Sequence, residues 1–92
     1  MTISESIARY VIYKNGAGVL FDSGKRYLLS LTRRIGDIDL SLVNVEDVME
    51  FLNDSKAQNS TWRLKYGVCT RFFNFWASRA EMPYLSFPPP RS

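Results

Sequence analysis

A chain of 92 residues, 46% apolar and 14% aromatic, is sized for one packed domain and leaves little room to enclose an active site. It has no histidine, the commonest general base and metal ligand, and its single cysteine, Cys69, excludes an internal disulfide and a cysteine-built zinc site. The net charge of +3 is segregated: residues 1–36 carry six basic and two acidic side chains, residues 37–58 one and six, and residues 59–92 five and one.

Two basic sections flanking an acidic one suit a surface that faces a polyanion with an acidic surface turned away. Solvated faces that merely compensate one another give the same pattern. Serines and carboxylates show no triad, P-loop or paired-carboxylate spacing, so the chain by itself is not read as an enzyme, and no cofactor is implied. No apolar run approaches membrane-spanning length, and the start, MTISESIARY, lacks a basic, apolar leader. With one cysteine suited to a reducing compartment, the expectation is a soluble cytoplasmic protein that binds no membrane.

The elements follow in chain order. Ile3, Ile7, Tyr10 and Val11 recur at helical spacing and predict a first helix from about Ser4, as N-cap, to Lys14, broken by Asn15-Gly16-Ala17-Gly18. A second helix is expected from Asp22 or Ser23, either a suitable cap, to Gly36, with Leu28, Leu31 and Ile35 as its apolar stripe and Tyr27 beside it. Gly24 falls early in it, where a large side chain would not fit. Arg33 and Arg34 complement its dipole, whereas Lys25 and Arg26 oppose the dipole and point to another use.

The connector DIDLSLVN should tuck Leu40 and Val43 into the core. Asn44 then caps a short third helix, VEDVMEFLND, whose stripe is Val45, Val48, Met49 and Leu52 and whose acids suit its positive end. After a polar loop over residues 53–59, Ser60 is expected to cap a fourth helix running to about Ala80. Trp62, Tyr66, Cys69, Phe73, Trp76 and Ala80 form its stripe, widened by Val68, Phe72 and Phe75. Such a face reads as core; a base-stacking platform would need it exposed. Gly67 inside this helix suggests close approach of another backbone. Pro83 ends any helix, and MPYLSFPPPRS reads as an extended strap. It is a linker or a proline-rich recognition peptide, and Tyr84, Leu85 and Phe87 look suited to packing. The organisation is thus a helical domain over 1–82 and a linker over 83–92.

The opening turn YKNGAG, the helix GKRYLLSLTRRIGD, the stretch IDLSLVNVEDVMEFL and above all NSTWRLKYGVCTRFFNFWASRAEMP resemble, in order, the N-terminal core-binding domain of the tyrosine recombinases, the phage-integrase family. The likeness covers nearly the whole chain. It implies an all-α, four- to five-helix, SAM-like bundle that clamps double-stranded DNA during integration or recombination. The family's catalytic arginines, lysine, histidines and nucleophilic tyrosine belong to a C-terminal domain that this sequence does not contain. That domain and other recombinase protomers on DNA are the implied partners, with a monomer expected in isolation. Carried over, the DNA-binding candidates are Ser23, Lys25, Arg26 and Ser30 on the second helix and Ser60, Thr61, Arg63, Leu64 and Lys65 on the fourth. Simple capping equally explains Ser60, and a solvated helix position explains Ser30.

Two other readings compete. A SAM-type protein-interaction module shares this size and helix pattern, with its opposed charges mediating head-to-tail association. A free-standing helix-turn-helix regulator would need a tighter turn than the polar loop before Ser60 provides.

Overall fold

The computed structural model describes residues 1–18, 20–54 and 58–90. Four helices, α1 (Ile3–Gly16), α2 (Asp22–Ile35), α3 (Val45–Asp54) and α4 (Asn59–Ser78), are joined by short connections, one containing a 3₁₀ turn at Leu40–Leu42. No strand occurs among the described residues; the nearest thing is one antiparallel bridge between Thr2 and Asp39. The fold class is all-α, as the periodicities require. The middle of the polar loop, residues 55–57, and the side chains of Lys56 and Arg91 lie outside the described residues.

Most of the stripe residues read from the sequence form one core, although Ala80, placed in the α4 stripe, is exposed. Ile3, Ile7 and Tyr10 of α1, Leu28 and Leu31 of α2, Leu40 and Val43 of the connector and Val48 and Leu52 of α3 are buried around α4. From α4 itself come Trp62, Val68, Cys69, Phe72, Phe73, Trp76 and Ala77. The aromatic face of α4 is therefore core, not a stacking platform. Its widest rings fill the centre: Phe72 meets Tyr10 edge-on at 5.2 Å and Phe73 at 5.1 Å.

Ring contacts fix the helix directions. Phe21, just before α2, and Phe72 both set an edge against Tyr10, while Lys65 reaches Tyr27, six residues into the chain beyond Phe21 and seven before Phe72. Six residues of α2 and seven of α4 cover about 9–10 Å each at 1.5 Å per residue, so the two helices run in opposite senses. Tyr10 and Tyr13 meet Phe72 and Phe75 in the same order, so α1 runs with α4.

Helix ends depart from expectation where the cap is not local. Thr2, not Ser4, caps α1, its hydroxyl accepting from the Glu5 amide. Ser4 instead donates its amide and hydroxyl to the Asp37 carboxylate, at 2.8 and 2.6 Å, which ties α1 to the connector. The helix also runs on to Gly16, because the turn residues close its last turn before Gly18 takes a positive φ. Neither Asp22 nor Ser23 caps α2; Phe21 holds that position, with its ring folded across the first turn. A Cβ on Gly24 would lie 2.4 Å from that ring, which explains the glycine. Gly36 ends α2 at φ 93°, as expected, and the Asn44 side chain accepts from the Asp47 amide to cap α3.

At α4, Gln58 is the N-cap residue without a side-chain bond, so Ser60 sits inside the helix and is not its cap. The C-terminus is a Schellman closure: the Glu81 amide donates to the Trp76 carbonyl and the Ala80 amide to that of Ala77, both at 3.1 Å. This closure stops the helix at Ser78, short of the expected Ala80, and holds Ala80 at φ 60°. At Gly67 the nearest neighbour is a side chain rather than another backbone: a Cβ there would meet the Arg71 guanidinium first, 2.9 Å away.

Beyond the closure the chain turns back along α4. Met82 is buried, and from residue 84 exposure alternates, with Tyr84 and Ser86 outward and Leu85 and Phe87 against the core. Of the three residues expected to pack, Tyr84 does not. A radius of gyration of 12.5 Å, close to the ~12 Å of a compact chain this long, places the strap on the body.

Candidate functional site

Among the described residues there is no pocket and no cluster of three side chains able to hold a metal ion. No helix is long and apolar enough to cross a membrane. Cys69 is fully buried, and burial pushes its thiol up to about 12, which leaves it a protonated, unreactive core residue at neutral pH. What remains is surface chemistry, and it concentrates on α2.

Because α2 buries Gly24, Leu28 and Leu31, the positions opposite face outward. Ser23, Arg26, Ser30 and Arg33 fall there at intervals of three, four and three, a row about 15 Å long in which Ser30 is half-buried and the other three are exposed. The row is internally bonded: Arg26 donates to the Ser23 hydroxyl at 3.4 Å, and Arg33 to the Ser30 hydroxyl at 3.1 Å. Lys25 is exposed on the flank. Among the described residues none of these three cations forms an ion pair with a carboxylate, whereas Arg34 pairs with Asp54 of α3 and Arg9 with Glu5. A hydroxyl partner orients a guanidinium without neutralising it. The α2 face thus carries cations that form no ion pair among the described residues, with the exposed Asp22 one turn before Arg26.

The candidates on α4 are divided. Two residues apart on a helix means about 200° of rotation, so Arg63 and Lys65 point nearly opposite ways. Arg63 is exposed, as are Ser60 and Leu64, the latter 60% accessible, while Thr61 is half-buried. Lys65 turns inward, with its ammonium 5.5 Å from the Tyr27 ring and 5.8 Å from the Phe51 ring. There it joins α4 to α2 and α3 by cation–π attraction. Because α2 and α4 run in opposite senses, their N-terminal turns do not meet. Level with each other at Tyr27 and Lys65, they place Ser23 and Ser60 about 13 Å apart along the helix axes.

Sequence reasoning passed over Arg33 because the helix dipole already explained a cation in the last turn. The repeat of serine and arginine seven residues apart, 23/30 and 26/33, was the available mark of a single row. The acidic side is α3, where Glu46 and Glu50 are exposed one turn apart. No protein-family model, curated protein or solved structure matches this chain.

Proposed function

We propose that this domain binds double-stranded DNA, as the clamp half of a tyrosine-recombinase-type protein, through the outward row of α2 together with Arg63 on α4. The reading is supported chiefly by the bonded Ser23–Arg26 and Ser30–Arg33 pairs, whose arginines form no ion pair among the described residues. Phosphate oxygens are stronger acceptors for guanidinium than hydroxyls are, so DNA replaces a weak partner with a charged one. Serine hydroxyls released in the exchange remain beside the phosphates as further donors. Chain order and the resemblance of the α2 and α4 segments to recombinase core-binding domains supply the family context, with a separate catalytic domain doing the chemistry. The domain alone neither cuts nor joins DNA in this reading.

The test is duplex binding by fluorescence anisotropy across a salt series. With Lys25, Arg26, Arg33 and Arg63 each neutralising one phosphate, log K should fall against log salt with a slope of about −3.6. The double substitution Arg26→Glu, Arg33→Glu should weaken binding and bring the slope to about −1.8 or flatter. Glu46→Ala with Glu50→Ala should change both little. An unchanged slope in the α2 double variant would refute the assignment.

A second reading, a SAM-type interaction module, draws on exposed Glu46 and Glu50 on α3 against the α2 cations that form no ion pair among the described residues. It requires head-to-tail association that grows with concentration in light scattering and dissolves in salt.

A further inference from the structure

Gly67 stands in the interior of α4 without the usual reasons for a glycine there. The helix runs unbroken from Asn59 to Ser78, and Gly67 does not share the positive φ of Gly18 and Gly36. The Thr70 hydroxyl donates to its carbonyl at 3.2 Å, so the turn is held rather than loosened. A helix-interior glycine costs stability against alanine, and here the space it leaves is occupied. The three atoms nearest to the place of a Cβ all belong to the Arg71 guanidinium, at 2.9, 3.3 and 3.4 Å. The charged end of Arg71, rather than its methylene stem, lies over the glycine.

Arg71 reaches that place by folding back one turn toward the N-terminus of α4, the direction that helical side chains take. Its cation is thereby moved about 6 Å along the helix, to one turn from the Arg63 position instead of two. Arg71 is exposed and shares the outward face of α4 with Ser60, Arg63 and Asn74. No aspartate or glutamate occurs over residues 59–78, and Arg71 forms no ion pair among the described residues.

Granted the duplex-binding reading, on which this rests, we propose that Arg71 is a further phosphate-binding residue and that Gly67 is the seat holding its guanidinium near Arg63. A guanidinium folded onto its own helix does not extend into a groove to reach base edges, so its partner is backbone phosphate. Held over the glycine, it meets a phosphate with less side-chain freedom to lose. The stability that α4 forgoes at Gly67 is balanced by a placed cation, as is common at binding surfaces.

Fluorescence anisotropy with two duplexes of unrelated sequence, each across a salt series, tests both residues. A fifth neutralised phosphate steepens the slope of the unaltered domain from about −3.6 to about −4.5, and shifts the α2 variant equally. Arg71→Gln should return the slope to about −3.6 and weaken binding to both duplexes by the same factor. Gly67→Ala keeps every charge, yet should weaken binding several-fold by displacing the guanidinium. In the Arg71→Gln background the same alanine should change affinity no further, because the two residues act as one unit. The proposal is overturned by a slope that Arg71→Gln leaves unchanged, or by a loss confined to one duplex. It is equally overturned if Gly67→Ala leaves affinity unchanged, or weakens it as much without Arg71 as with it. The Arg26→Glu, Arg33→Glu variant separates this from the wider reading: if its slope flattens while Arg71→Gln does nothing, α2 binds DNA and α4 lacks this contact. If the unaltered domain binds neither duplex, both fall together.

Discussion

Replacing Ala80 by glycine should stabilise the domain, although glycine in or beside a helix usually does the reverse. Ala80 is the C′ residue of the Schellman closure, with φ 60°, and its side chain is exposed. The left-handed conformation costs an L-residue roughly 1–2 kcal/mol and costs glycine nothing sterically. Against this, glycine gives up about 0.5–1 kcal/mol through the extra freedom of its unfolded chain. No packing is lost, since an exposed methyl contributes little. The net gain is about 0.5–1 kcal/mol. Unfolding entropy near 2.1 cal/mol/K per residue gives about 0.19 kcal/mol/K for this chain, so Tm should rise by about 3–5 °C. Thermal melts followed at 222 nm measure this directly, and urea titration should show a higher midpoint at unchanged m. A Tm that is unchanged or lower would mean that α4 does not end in a left-handed residue in solution.

Gly67→Ala should also stabilise, by up to about 1 kcal/mol, because the atoms nearest the new methyl belong to the flexible Arg71 arm while α4 gains a better helix former; a loss of stability in the same melts would show that something less yielding lies over that turn. Acid should destabilise the domain through its connector. Hydrogen bonds from the N-terminal ammonium and Ser41 hold the Asp39 carboxyl well below its usual value, and bonds from Ser4 lower that of Asp37. Both folded values lie below the unfolded ones, so their contribution is complete above about pH 4 and is lost as pH falls through the lowered values. Urea midpoints should therefore decline below about pH 4, and Asp37→Asn with Asp39→Asn should flatten that decline; an equally steep decline in the double variant would place the acid-sensitive groups elsewhere.

The parts legible in the sequence were those decided locally. Asn44 and the Asp47 amide are three residues apart, and the α3 cap follows from that spacing alone. The core stripe of α4 follows from helical period and residue size. Asp37 bonding Ser4 was not legible, because the partners lie 33 residues apart and meet only after α1 and the connector have docked. The placement of Lys65 was not legible for a different reason. Charge type assigns it to the surface, yet it lies only about 40° around α4 from Cys69, on the core side. A long methylene stem lets it span that position and leave its ammonium on two rings. Arg33 had a sufficient local explanation, and that sufficiency hid the row to which it belongs. Direction was the last missing element: nothing local to α2 or α4 states that they run oppositely, so the sequence could not say that the candidates on the two helices lie about 13 Å apart along the axes.

The same arrangement divides the basic residues into two kinds of work. Lys65 and Arg34 have partners within the molecule, the first Tyr27 and Phe51, the second Asp54 in an exposed pair between α2 and α3. Lys25, Arg26 and Arg33 lie on α2 and form no ion pair among the described residues. A polyanion meeting them need not break an ion pair, and the serine bonds have already restricted the two arginines, so less side-chain entropy is lost on binding. Folding and binding are therefore separable by substitution. Lys65→Met, which keeps the stem and removes the ammonium, should act on stability, by about 0.5–2 kcal/mol for the lost ring attraction, and leave the salt slope almost intact. The Arg26 and Arg33 changes should act on the slope and leave Tm nearly where it was. If instead Lys65→Met lowers the slope by about one while the melt is unmoved, the ammonium leaves the rings for DNA, and the N-terminal half of α4 is a larger part of the interface than the geometry of the free domain assigns to it.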